Sequence, residues 1–215
     1  MARTTETWVN YAEALAFIGN SLLAPMNQTG TVGLEPAFWE SFPAFDDVKV
    51  ALALEKCQAY AAEAQALAAE GGDAVQRESV EYTKLFVGPP HPAAAPWETM
   101  HRGEGASVGF GEATFEMQRL LREAGLEVSN ENNQYADHIG IELLYASVLC
   151  QRAAEACDAG DETRASELES QLASFVRAHP LAWIGRLVTA VTEAEANGYI
   201  VRLLELARAL LATLS

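Results

Sequence analysis

Along most of the chain, apolar residues recur three and four positions apart, the period of a helix that buries one stripe. The alternation expected of half-buried strands is scarce. A first helix is predicted over residues 5–23, closed by Pro25. Residues 26–34 contain Asn27, Gly30 and Gly33 and read as a loop, and Pro36 opens a short helical turn through Trp39. Asp46 is expected to cap a helix running to residue 69, which Gly71-Gly72 ends, and Asp73 to cap the next, ending at Phe86. Helix resumes over 112–124 and stops at Gly125. Another starts near Asp137, with Ile141, Leu144, Tyr145, Val148 and Leu149 on one buried stripe, and ends at Gly160. Asp161 begins the following helix. Pro180 suits a first helical position, and Leu181, Ile184, Val188 and Val191 share a face after it. Beyond the turn at Asn197-Gly198, Ile200, Leu203, Leu204, Ala207, Leu211 and Leu214 face inward along the last helix. The fold class is therefore all-α: a single-domain helical bundle over 1–215, interrupted by one long ordered loop at about 87–111.

That loop breaks the pattern. It is rich in Gly and Pro, follows Tyr82, Leu85 and Phe86, and carries Gly88-Pro89, Pro96 and Trp97. Loops of this length in compact domains are commonly functional. Prolines reduce the entropy lost on binding, and a Trp on a loop offers a large contact area with one N–H donor. Two readings stay open: Trp97 is displayed to a partner, or it tucks onto the bundle and pins the loop.

The 215 residues suffice for one well-buried core, and half of them are apolar. A formal net charge of −16 repels phosphate backbones, so nucleic acid is not an expected partner; the acidity reads first as a solubility device and is compatible with cationic partners. Cys57, Cys150 and Cys157 are odd in number and lack a Cys-x-x-Cys pair, so buried thiols in a reducing compartment are expected in place of a disulfide framework. No apolar run is long enough to span a membrane. The N-terminal residues lack a basic region followed by an apolar run, so no signal peptide and a cytoplasmic location are expected.

Enzyme signatures are poor: there is no nucleophile elbow, phosphate loop or dinucleotide fingerprint. Asp137 is a natural helix N-cap, and His138 and Glu142, four apart, share a face and are suited to pair. Those two residues alone have metal-ligand spacing, since His91, His101 and His179 lie in other segments; a metal-dependent helical enzyme on this pair is one minor reading. A cofactor- or nucleotide-binding helical regulatory protein, using the Gly-rich residues 103–111, is another. No metal and no cofactor is expected.

Three blocks occur in register: Tyr82-x-x-Leu85-Phe86-Val87-Gly88-Pro89 with Pro96-Trp97-Glu98-Thr99 and Phe110-Gly111; then Asn132-Asn133-x-x-Ala136-Asp137-His138-Ile139-Gly140-x-Glu142-Leu143; then His179-Pro180-Leu181-x-Trp183. Together they resemble the TorD/DmsD family of redox-enzyme maturation chaperones, over most of the chain and most specifically from about 81 to 149. The chain departs from the pattern at Ala136, where a proline often precedes the Asp-His pair. The resemblance implies an all-helical cytoplasmic chaperone without catalytic activity. Its implied partner is a molybdopterin-dependent catalytic subunit and its twin-arginine leader, held until cofactor insertion and kept from premature export. A homodimer, including one with exchanged helices, is compatible. The implied leader-binding residues are Tyr82, Leu85, Phe86, Gly88, Pro89, Pro96, Trp97, Glu98, Asp137, His138 and Glu142. Asp137, with Glu98 or Glu142, would take the leader arginines, and Trp97, Leu85 and Phe86 its apolar run.

Overall fold

The computed structural model describes residues 3–103, 110–127 and 134–215. The chain is all-α, in the order α1 (Thr5–Ser21), α2 (Pro36–Glu40), α3 (Val48–Ala69), α4 (Ala74–Tyr82), α5 (Glu112–Glu123), α6 (Ile139–Asp158), α7 (Glu162–Ala178), α8 (Pro180–Ala194) and α9 (Tyr199–Thr213). Side-chain oxygens cap several N-termini: Thr4 for α1, Asp73 for α4 and Asp161 for α7. Asp47, not the expected Asp46, caps α3, accepting from the amides of Lys49 at 2.8 Å and Val50 at 3.1 Å. The expected loop at 26–34 contains two short 3-10 turns.

Helix α6 lies at the centre, packed on α1 and α7, while α9 lies between α3 and α8. The sequence predicted a single buried stripe on α6. Instead Ile139, Leu143, Ala146, Leu149, Cys150 and Ala153 are all fully buried, and Leu144 and Val148 are only half-buried. The small residues Gly140, Ala146 and Ala153 admit neighbours on several sides, so no single stripe carries the packing. A Cβ on Gly140 would come within 2.7 Å of the Gly19 carbonyl oxygen, and one on Gly19 within 2.8 Å of the Gly140 carbonyl. The backbones of α1 and α6 thus touch where they cross, which only glycine permits. All six residues expected to face inward on α9 are buried.

The thiols of Cys57, Cys150 and Cys157 are free. Burial pushes both Cys57 and Cys150 up to about 12, so neither is a thiolate at neutral pH. Among the described residues no helix is long and apolar enough to cross a membrane.

Candidate functional site

Helix α4 does not continue to Phe86 in α form. From Thr83 to Val87 it widens into a π turn, closed by the Gly88 amide on the Thr83 carbonyl at 2.8 Å. This extra width places Leu85 and Phe86 in the core while Val87 stays exposed. Gly88 then turns the chain with φ +92°, and a Cβ there would lie 2.6 Å from the His91 backbone. Both demands explain glycine at this position. The Pro89–Pro90 peptide is cis, and both prolines are exposed.

Eight residues on, the loop is stitched to the start of α6. Trp97 and His138 form an isolated antiparallel bridge, flanked by Glu98 N–H donating to the Asp137 carbonyl and Ile139 N–H to the Pro96 carbonyl, each at 2.9 Å. The side chain of Asp137 completes the clamp. Its Oδ2 accepts from the Thr99 amide at 2.9 Å and the Thr99 hydroxyl at 2.6 Å, and its Oδ1 from the Thr114 hydroxyl at 2.9 Å. One buried carboxylate thereby joins the loop, α5 and α6. Asp137 is not the N-cap of α6 as expected: that role falls to His138, whose Nδ1 accepts from the Gly140 amide at 3.0 Å. The carboxylate is drawn away because three donors converge on it from outside the helix.

Behind the clamp lies a buried polar centre. Glu98 and Glu142 are both 0% exposed. Arg102 donates to Glu98 Oε1 at 2.8 Å, His179 Nδ1 sits 3.0 Å from Glu98 Oε2, and the Trp183 indole donates to Glu142 Oε2 at 3.0 Å. Burial would push Glu98 up, but His179 and the Arg102 guanidinium outweigh it and hold the carboxyl below its ordinary range. Burial, then the charge and hydrogen bond of Glu98, push Glu142 well above the ordinary range. Of the two carboxyls, Glu142 is the one whose surroundings favour the protonated form, and a proton there would bridge to Glu98. The ligand atoms of Glu98, Glu142 and His179 lie within 4.8 Å of one another, a spacing that a cation could bridge. The shared proton, Arg102 and His179 already balance these carboxylates without one. The pair expected from the sequence, His138 with Glu142, is not what forms: Glu142 turns to Glu98 and Trp183, while His138 caps its own helix. His101, stacked on Trp183 at 5.0 Å, donates Nε2–H to the Ala95 carbonyl, and burial lowers its pKa.

From this centre a row of rings leads outward. Tyr82 meets Phe86 at 5.3 Å, Phe86 meets His138 at 6.2 Å and His138 meets Trp97 at 6.5 Å. Trp97 then meets Tyr135 at 5.8 Å, Tyr135 meets Phe110 at 5.5 Å and Phe110 meets Phe115 at 5.0 Å. The inner members are buried, Trp97 is half-buried, and Phe110, Phe115 and Tyr135 are 41%, 58% and 41% exposed. Tyr135 also borders a groove of about 400 Å³ with Gln118, Leu121, Arg122, Leu126 and Ala136. Leu121 and Leu126 are shared with a second groove of about 680 Å³, reaching Leu23, Ile141, Leu144 and Val148 between α1 and α6.

The sequence-predicted residues thus gather in one region. Tyr82, Leu85, Phe86, Pro96, Glu98, Asp137, His138 and Glu142 are buried, and Gly88 and Pro89 shape the turn. Trp97 is not displayed in the open, as one reading had it: it is pinned against His138 and Tyr135. Glu98 already holds an arginine, Arg102, and both oxygens of Asp137 are occupied. Thr99, Arg102, Thr114, His179 and Trp183 were not assigned roles in this network from the sequence, although Thr99, His179 and Trp183 lie within the motifs. The Gly-rich residues 104–109 and the Asn132-Asn133 pair fall outside the described residues.

An all-helical chain whose clamped loop brings an aromatic ridge to the surface has the make-up of a helical binding protein. Residues 47–189 match the family model described as nitrate reductase delta subunit. The chain belongs to this family, that of the TorD and DmsD chaperones. It is 27% identical over 127 residues to "Chaperone protein TorD" of Shewanella pealeana, covering 56% of this chain and 51% of that protein. With "Chaperone protein TorD" of Photobacterium profundum it shares 31% identity over 112 residues, covering 52% of this chain and 50% of that one. With "Tat proofreading chaperone DmsD" of Salmonella typhi it shares 31% over 70 residues, 33% of this chain and 34% of the other. The matches to the TorD proteins span about half of those proteins' length. These relatives bear the names of chaperones, not of enzymes.

Proposed function

We propose that this protein is a chaperone for a molybdopterin-dependent oxidoreductase, binding the twin-arginine leader of its catalytic subunit and the subunit before cofactor insertion. The observation that carries this reading is the aromatic row that emerges from the family motifs and surfaces at Trp97, Tyr135, Phe110 and Phe115. The apolar run of a leader would lie over this ridge and into the adjoining groove at Leu121 and Leu126. Exposed aromatics on a rigid base lose little entropy on binding and bury a large area. The buried carboxylates Glu98, Asp137 and Glu142 act in this reading as positioning residues. The leader arginines would go to carboxylates on α5 that flank Phe115, the exposed Glu112 and the half-buried Glu116, which also pairs with Arg102. The net charge of −16 favours encounter with a basic leader.

The test is a titration with a synthetic twin-arginine leader peptide of a molybdopterin-dependent catalytic subunit, followed by tryptophan fluorescence. Trp8, Trp39 and Trp183 are buried, so the change reports on Trp97. Saturable binding is expected; Phe115→Ala, read by fluorescence, and Trp97→Ala, read by titration calorimetry because it removes the reporting indole, are each expected to weaken it about tenfold, the loss typical of an aromatic anchor. No saturable binding of either the leader or the cofactor-free subunit would refute the reading.

A further inference from the structure

Five buried side-chain polar atoms among the described residues have no hydrogen-bond partner: Glu78 Oε2, Glu142 Oε1, Tyr82 Oη, Trp97 Nε1 and His138 Nε2. The two carboxylate oxygens belong to acid pairs, Glu78 with Glu81 and Glu142 with Glu98, in which a shared proton accounts for them. The other three have no such account, and all three sit on consecutive parts of the ring row Tyr82–Phe86–His138–Trp97.

Each of the three is a donor. Trp97 Nε1 can only donate. His138 accepts at Nδ1 from the Gly140 amide, which leaves its proton on Nε2, and burial lowers its pKa to about 3, so the ring stays neutral. Tyr82 Oη carries a proton that burial makes harder to lose. Trp97 and His138 also share a direction. The bonds Glu98 N–H to Asp137 carbonyl and Ile139 N–H to Pro96 carbonyl bracket them as a non-hydrogen-bonded pair, the closer kind in an antiparallel bridge. Side chains of such a pair leave from the same face, so indole and imidazole project side by side. Burying donors without acceptors is costly, and native structures rarely leave several together without a use for them.

We propose that this row is a hydrogen-bonding subsite for the main-chain carbonyls of an extended peptide, reached when the Trp97 indole swings outward. The inference rests on the leader-binding reading and adds its chemistry: the protein holds the peptide by its backbone as well as by its side chains. The ligand must accept and must be neutral. An anion is disfavoured because the carboxylates of Asp137 and Glu98 lie in the same region. A peptide carbonyl meets both conditions, and backbone recognition tolerates the varied side chains of an apolar run. Only ring contacts, and no hydrogen bond, hold the Trp97 side chain in its pinned position.

Tyr82→Phe and Trp97→Phe keep an aromatic ring and delete the donor. With the same twin-arginine leader peptide, titrated by calorimetry, each is expected to weaken binding about three- to tenfold, the value of one hydrogen bond. The unfolding midpoint of free Tyr82→Phe should equal or exceed that of the wild type, because it removes an orphan donor and leaves the ring packing in place, whereas Trp97→Phe also trims the contacts of its ring and is read by binding alone. A purely structural role would instead lower the midpoint. If both variants bind as the wild type while Trp97→Ala is impaired, the carbonyl subsite is refuted and the leader-binding reading stands. If the wild type itself shows no saturable binding, both fall.

Discussion

Removing the Asp137 carboxylate should test whether this residue is a surface contact or the knot that holds the loop. The side chain is 0% exposed and accepts three hydrogen bonds, two from Thr99 and one from Thr114, itself 0% exposed. Hydrogen bonds to a charged acceptor are worth about 1.5–3 kcal/mol each, so a plain sum for three is about 4.5–9 kcal/mol. The sum overshoots, because two of the donors are hydroxyls that can turn elsewhere; Thr99 and Thr114 Oγ1 already lie 3.5 Å apart. The Thr99 amide cannot turn. Asp137→Ala is therefore expected to cost about 3–5 kcal/mol, a large part of the stability of a typical domain. Asp137→Asn keeps one acceptor oxygen and the shape, and should cost about 1–2 kcal/mol. Urea unfolding followed by tryptophan fluorescence measures both, and hydrogen exchange at the Thr99 amide localises the effect. A double-mutant cycle with Thr114→Val should return a coupling of about 1–2 kcal/mol. An Asp137→Ala variant within about 1 kcal/mol of wild type, with the Thr99 amide still protected, would refute the clamp.

The acid pairs give the protein a pH dependence of known sign. Glu142 is raised well above its ordinary range and Glu81 is pushed up to about 8, chiefly by burial, so the folded state keeps protons that the unfolded state has released. Their contribution is complete below the unfolded carboxylate pKa and is lost as pH rises through the folded one. His138 works oppositely but only below its ordinary 6.5, and the buried Cys57 and Cys150 thiols add to the slope as pH nears their ordinary 9.0, so thermal unfolding between pH 6.5 and about 8 isolates the acids. Stability should fall across that window, and less steeply in Glu142→Gln; equal slopes would contradict the shared proton. Gly88→Ala must accept φ +92° and a 2.6 Å approach to the His91 backbone, and should lose about 1–3 kcal/mol in urea unfolding. Gly140→Ala pushes α1 from α6 through the 2.7 Å contact with the Gly19 carbonyl and should lose about 1–3 kcal/mol, where an unchanged midpoint would mean the crossing is loose.

What the sequence revealed and what it concealed follow from the range of the forces involved. Helix limits at Pro36, Gly71, Gly125, Gly160 and Pro180 were legible because Gly and Pro act on their own backbone. The buried face of α9 was legible because one period of 3.6 residues sufficed to trace it. The wide buried face of α6 was not, since that depends on which neighbours α1 and α7 bring against it. The same distinction holds at the site. The motif residues were found as a set, but their partners were assigned by nearness in sequence: Asp137 to its own helix, His138 to Glu142 four residues on. Once the chain folds, Asp137 answers to Thr99 and Thr114, 38 and 23 residues away, and Glu98 meets His179, 81 residues away. Spacing along a helix cannot encode such meetings, and in the proposed reading they make most of the expected contact residues supports. What reaches the surface from these supports is a row of rings whose outer members no motif fully contained, and the proposed reading places binding there.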